Sequence, residues 1–433
     1  MSIKNHQGPS LGISEEIHAM KYRSKGESFR EAMARVADSL KDSEDHYNNF
    51  REILLDQRFL PAGRVQSAMG SPRKETPYNC FVSMTIEDSM EGIMKAATEA
   101  AKTMQLGGGI GYDFSTLRPH GALIKSLDSR SSGPLSFMGI FDALCKTISS
   151  AGHRRGAQMA VLRVDHPDIL EYIKAKNNST NLTQFNMSVG VTDDFMEAVK
   201  NDTDFDLVFE GRVYSTIRAK ALWDDILRST WDWAEPGILF IDRINRKNNL
   251  HYCEYIAATN PCGEQPLPPN GACLLGSFNL TQYVEKNIDS SFGFNLEKLK
   301  HDIPHVVRAM DNVVDRATYP LPAQQLEAQS KRRMGLGVTG VANALEALGN
   351  PYGSEGFLND LEEIMSVIRD TCYKTSIALA VEKGAFPLFE KEYLDSEFAK
   401  TLPDDIRSDI TKYGIRNSHL LSVAPTGTIS LSA

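Results

Sequence analysis

From residue 61 to the end, the chain alternates short apolar runs, glycine-rich turns and amphipathic segments. Examples are QLGGGIGYDF, SFMGIFDALCKTISSAG and AQMAVLRVDHPDILEYIKAK. This alternation limits the fold more than any other feature. Strands separated by helices pair in parallel, which predicts a large α/β barrel or a doubly wound sheet. Before it, residues 27–56 (ESFREAMARVADSLKDSEDHYNNFREILLD) read as helical, since apolar residues recur at helical spacing and glycine is absent. LPAGR ends that pattern. MAVLRV is a predicted strand. HPDILEYIKAK is a predicted helix, with Pro167 near its first turn and Asp168 at its positive dipole end. Residues 221–234 and 356–384 are further helix candidates. No internal repeat, low-complexity tract or linker interrupts the chain.

Composition excludes some classes. The chain has 433 residues, 41% hydrophobic and 24% charged, with a net charge of −9. The charge argues against a duplex nucleic-acid coat and against a basic membrane face. Nucleotides held by a few local donors stay open. Six cysteines are too sparse for a disulfide scaffold. The N-terminus lacks an apolar signal region, and no apolar run reaches the ~18 residues of a membrane span. The expectation is a cytoplasmic protein with no membrane and no nucleic-acid polymer as partner, in which a functional cysteine is a thiol, a metal ligand or a redox catalyst.

Four stretches can carry chemistry. In Asn260-Pro261-Cys262-Gly263-Glu264-Gln265-Pro266, an extended loop would project Asn260, Cys262 and Glu264 to one side. A thiol flanked by an amide and a carboxylate suits radical or nucleophilic work, with the carboxylate accepting a proton. A buried cysteine in a Pro/Gly turn is the plainer alternative. His251, Cys253, Cys262 and Cys273 also supply zinc-type ligands, without the short paired spacing of compact sites. Gly335-Leu336-Gly337-Val338-Thr339-Gly340 matches G-x-G-x-x-G, but the polar residues before it make a poor strand, so close backbone packing is favoured over a dinucleotide site. Pro425-Thr426-Gly427-Thr428-Ile429-Ser430 offers hydroxyls and backbone N–H groups suited to phosphate, or is an ordinary turn.

Nine segments in order, TPYNCFV, GGGIGYDFSTLRP, SGPLSFM, GHRRGAQMAVLRVDHPDI, EPGILFIDRINR, ATNPCGEQPLPP, GACLLGSFNL, RRMGLGVTG and APTGTIS, resemble ribonucleotide reductase. The wording, including LPAGRVQSA, is most similar to the adenosylcobalamin-dependent class. The resemblance implies a ten-stranded α/β barrel of the ribonucleotide reductase and glycyl-radical type over 61–433, after a helical region at 1–60. A loop through the barrel would carry the thiyl radical on Cys262, with Asn260 and Glu264 beside it. Cys80 and Cys273 match the pair that delivers two electrons and closes a disulfide. Cys145, Cys253 and Cys372 have no family role. Asn79 and the turn Pro425, Thr426, Gly427, Thr428 and Ser430 would hold substrate. The cofactor implied is adenosylcobalamin, with its cobalt, and no protein-bound metal.

The family also reads a dNTP or ATP effector at a remote site. Asp88, Ser89 and Arg118 match effector positions, and Gly152-His153-Arg154-Arg155-Gly156 matches a relay loop in which Arg154 and Arg155 suit base or phosphate contacts. Ribonucleotide substrate, a thioredoxin-type reductant and a homodimer partner are implied. The family continues past the PTGTIS turn, so the expectation is a barrel truncated at Ala433, inactive alone and completed by a C-terminal portion. No extra N-terminal cone for overall activity control is expected. Two alternatives remain: the large subunit of a class that takes its radical from a metalloprotein, and an inert nucleotide-binding fragment.

Overall fold

A computed structural model describes residues 8–124, 128–148, 156–177 and 181–433. The protein is mixed α/β and divides into two compact units. One is Cys80–Ala272; the other joins the described part of Met1–Asn79 to Cys273–Ala433.

Within Cys80–Ala272 the strands Cys80–Val82, Gly109–Asp113, Gln158–Arg163, Phe185–Val191 and Gly237–Phe240 lie side by side in chain order, each parallel to the next. The connections contain helices, among them Met90–Gln105, Gly133–Thr147 and Ala219–Trp233. Parallel strands need such crossovers. Alternation along the Gly109 strand separates two faces. Ile110, Tyr112 and Phe114 enter a core with Ala96, Met138, Phe141, Leu162 and Phe185, while Gly109 and Gly111 face the other way. The predicted MAVLRV strand is Gln158–Arg163. The helix after it is short, Ile169–Lys174. Asp168 caps no N–H of that helix: its carboxylate accepts from the His120 backbone N–H at 2.9 Å. The helix expected at 221–234 is Ala219–Trp233.

In the other unit, the stretch expected to be helical at 27–56 is two helices, Phe29–Leu40 and Glu44–Leu55. The break falls at Ser43, whose hydroxyl accepts from the His46 N–H at 3.1 Å. A serine cap of this kind contributes roughly 1 kcal/mol and competes with helix continuation. LPAGR is a short strand, Phe59–Pro61, running into the helix Gly63–Ala68. Phe59–Pro61 is antiparallel to Leu275–Asn279, which is parallel to Gly335–Thr339. Glu355–Lys383 is a helix, as the sequence pattern at 356–384 predicts.

The G-x-G-x-x-G run is itself the strand Gly335–Thr339, followed by the helix Val341–Ala347. A Cβ on Gly337 would lie 2.2 Å from the Ser422 carbonyl oxygen, so these glycines serve close backbone packing. Just before the strand, Arg332 binds the fully buried Asp311 and also Asp315. A buried carboxylate needs such a partner. Among the described residues no helix is long and apolar enough to cross a membrane.

Candidate active site

The glycine face of the Gly109 strand carries a small hairpin. Ala258–Thr259 pairs antiparallel with Pro266–Leu267, and residues 260–265 form its tip. A Cβ on Gly111 would sit 1.8 Å from the Thr259 carbonyl oxygen, so only glycine lets the hairpin backbone lie this close to the strand. A Cβ on Gly109 would meet Pro261 Cγ at 3.1 Å and Cys80 Sγ at 3.3 Å. Cys80 is the register partner of Gly109 on the neighbouring strand. The alternating glycines therefore bring Cys80 and the residue before Cys262 to one spot. The glycine-rich stretch was legible as a motif; its use as a seat was not.

The tip is a turn rather than the extended loop expected. Gly263 N–H donates to the Asn260 carbonyl at 3.0 Å. Pro261 at the second turn position and glycine at the fourth are the residues such a turn favours. Gly263 has φ +83°, which closes the tip toward Glu264. The turn leaves Cys262 exposed at its apex, while Asn260 has no exposed surface.

Asn260 joins the two legs of the tip. Its Nδ2 donates to Glu264 Oε2 at 2.7 Å, and its Oδ1 accepts from the Gln265 N–H at 3.0 Å and from Thr259 Oγ1 at 3.2 Å. So Asn260 and Glu264 do meet, by direct contact rather than by pointing in parallel. A residue not anticipated from the sequence also holds the tip: Asn186 Nδ2 donates to the Pro261 carbonyl at 2.8 Å.

Cys80 and Cys273 are buried, and all six cysteines are thiols. In the second unit the Asn79 N–H donates to the Cys273 carbonyl at 3.3 Å. Burial pushes the Cys145 thiol up to about 11, and Cys372 is raised further by the same cause. Such thiols are inert packing groups at neutral pH. Among the described residues no group of three or more His, Cys, Asp or Glu side chains is placed to hold a metal ion.

In 425–430, Thr426 has φ +54° and starts the short helix Gly427–Leu431. Pro425, Gly427 and Ser430 are exposed, and the helix is anchored by Ile429 packed with Tyr22 and Leu60. Asp88 and Arg118 come together: Arg118 Nε lies 2.6 Å from Asp88 Oδ2, and the Arg118 N–H donates to Asp88 Oδ1 at 3.2 Å. Ser89 caps the helix Met90–Gln105 by accepting from the Gly92 N–H at 3.0 Å. Arg154 and Arg155 lie outside the described residues.

Known proteins match this arrangement in sequence. A family model described as the barrel domain of ribonucleotide reductase matches residues 78–433. The chain belongs to the ribonucleotide reductase family. It is 38% identical over 397 residues to a vitamin B12-dependent ribonucleoside-diphosphate reductase of Thermoplasma acidophilum, covering 90% of this chain and 49% of that protein. To the Mycobacterium tuberculosis protein of the same name it is 38% identical over 420 residues, covering 94% of this chain and 57% of that protein. To a ribonucleoside-diphosphate reductase subunit alpha of Chlamydia pneumoniae it is 25% identical over 441 residues, covering 88% and 42%. The chain spans about half the length of the curated relatives it matches.

Proposed function

We propose that this chain forms the catalytic barrel region of a reductase that converts ribonucleoside diphosphates to 2′-deoxyribonucleotides, with Cys262 as the radical thiol. The observation that carries the proposal is the turn itself: an exposed thiol at its apex, an Asn260–Glu264 pair at its base, and Cys80 beside the glycine on which it rests.

The proposed cofactor is adenosylcobalamin. The fit is judged at Cys262, a thiol at a turn apex whose S–H hydrogen a radical can remove; no residue is assigned as a cobalt ligand. When bound, the cofactor supplies a radical able to take the Cys262 hydrogen atom. The residues of the chain do the rest. The Cys262 thiyl takes the ribose 3′ hydrogen. Glu264, held by Asn260, accepts the 3′-hydroxyl proton, and the two side chains orient the hydroxyls. The 2′-hydroxyl leaves as water with a proton from the Cys80/Cys273 pair. The pair gives its second hydrogen to C2′ and two electrons in all, closing a disulfide, while Glu264 returns its proton to O3′ and Cys262 returns its hydrogen to C3′. A thioredoxin-type protein then reduces the disulfide.

Substrate is held by Asn79 and by the turn of Pro425, Thr426, Gly427, Thr428 and Ser430. A dNTP or ATP effector binds at Asp88, Ser89 and Arg118 with Arg154 and Arg155, in a cytoplasmic homodimer. The five parallel strands are read as half of a ten-stranded barrel within 61–433, preceded by helices in 1–60. Higher identity to the vitamin B12-dependent relatives than to the subunit alpha favours this cofactor over a metalloprotein partner.

The test is ribonucleoside diphosphate reduction by the reductase that carries this chain, with adenosylcobalamin as the only radical source and iron and manganese removed. Deoxynucleotide formation is expected. Strict dependence on a second metalloprotein would overturn the cofactor, and no reduction under either condition would overturn the function.

A further inference from the structure

We propose that Asn186 is a positioning residue for the Cys262 thiol, acting through the peptide between Pro261 and Cys262. The inference rests on the reading of Cys262 given above. Gly111 pairs with Met159, and Met159 pairs with Asn186, so the three Cα positions form one row across neighbouring strands. Residues in such a row share a face. Gly111 supports the hairpin where the Thr259 carbonyl crosses it, and Asn186, two strands away, reaches the tip. It does so with one bond, Nδ2 to the Pro261 carbonyl at 2.8 Å.

That carbonyl is the sensitive point of the turn. In a four-residue turn closed by the Gly263 N–H and the Asn260 carbonyl, the peptide between the second and third residues is the one that flips between turn types. The flip swings ψ of the second residue by roughly 150° and takes the third residue to positive φ. Here the third residue is Cys262, and it is not among the residues with positive φ. The Asn260 bonds tie the legs of the tip, and none of them touches this central peptide. Asn186 does. A donor on the Pro261 carbonyl holds the peptide in one orientation, and with it the direction in which the thiol projects. Asn186 is otherwise exposed, on a strand whose remaining residues, Phe185 and Met187 to Val191, are buried.

The test uses Asn186→Ala and the isosteric Asn186→Asp, which keeps the shape and loses the donor. Hydrogen exchange at residues 260–265 should quicken by about 2- to 10-fold in both, the range set by one lost neutral hydrogen bond, while exchange at 158–163 stays unchanged. Turnover should fall by ~10- to 100-fold, since misplacing a reacting group by about an ångström costs that much. KM and the melting temperature should stay near wild type. Unchanged exchange at 260–265 overturns the inference whether or not the protein reduces ribonucleotides. Quickened exchange with unchanged turnover overturns the positioning role. A wild-type protein that reduces nothing defeats the proposed function instead, and the exchange measurement then still decides whether Asn186 holds the turn.

Discussion

Each unit has a strand of the form Gly-x-Gly that accepts a crossing backbone. In Cys80–Ala272, Gly111 leaves room for the Thr259 carbonyl; in the other unit, Gly337 leaves room for that of Ser422. The missing methyl groups would lie 1.8 and 2.2 Å from those oxygens. Beyond the crossing the two segments differ. The first enters a turn tied by Asn260, Asn186 and the Gly263 N–H within a few residues. The second enters residues 425–430, exposed at Pro425, Gly427 and Ser430 and docked mainly through Ile429. The same device therefore precedes two segments that are held differently. Under the proposed function Cys262 has to be held within a fraction of an ångström, and bonds from both sides of its loop suit that role. Under the proposed function the 425–430 turn receives phosphates, for which exposed backbone donors are suited, and it is held from below by Ile429 and by Gln57 Nε2 on the Ser432 carbonyl.

The largest effect that sharpens this comparison is expected for Gly111→Ala. The new methyl group displaces the hairpin and should cut turnover by more than ~100-fold. Overpacking should also cost about 1–3 kcal/mol of stability, read by denaturant melts. Gly337→Ala should act elsewhere, raising KM for the nucleotide by about tenfold through a shifted 425–430 turn, with a smaller change in kcat. Steady-state kinetics on both variants decides the matter. If Gly337→Ala lowers kcat as strongly as Gly111→Ala, the two seats do not divide chemistry from binding.

A smaller effect tests whether stability resides away from both seats. His18 packs between Tyr22 and Phe29, accepts from Arg23 Nε at 3.0 Å and contacts Gln66. Burial, followed by the Arg23 charge, lowers its pKa to about 4. The folded state thus binds a proton less readily than the unfolded chain. Its contribution is present above pH 6.5 and is lost as pH falls from 6.5 toward 4. The linkage amounts to under ~1 kcal/mol between pH 7 and pH 6, growing to about 3 kcal/mol near pH 4. Melting temperature measured across that range should fall less steeply in His18→Gln. An unchanged slope would place the acid sensitivity elsewhere.

Much of this was legible in the sequence because the signals were local. Apolar periodicity located the helices at 219–233 and 355–383 and the Gln158–Arg163 strand. Chemistry-bearing residue types marked the Asn260–Glu264 stretch, and motif order marked the family. What stayed hidden depended on other parts of the chain. The 27–56 helix divides because one serine hydroxyl competes for a backbone N–H. The Gly335 run is a strand because a partner strand lies on its edge, although two of its five residues are glycine and the residues before it are polar. The cysteine loop is a turn because Pro261 and Gly263 close it, so position along an extended chain misjudged how Asn260 and Glu264 meet. Asn186 could not be found at all, since its role exists only through the register of three strands.

The most direct test of the account is Cys262→Ser in the reductase that carries this chain, measuring deoxynucleotide formed over many turnovers alongside nucleotide binding. An alcohol O–H is too strong a bond for the hydrogen exchange proposed, and the substitution changes one atom at an exposed turn apex. The account predicts no multiple turnover with binding near that of the wild type. Appreciable multiple turnover by the Cys262→Ser protein would contradict it.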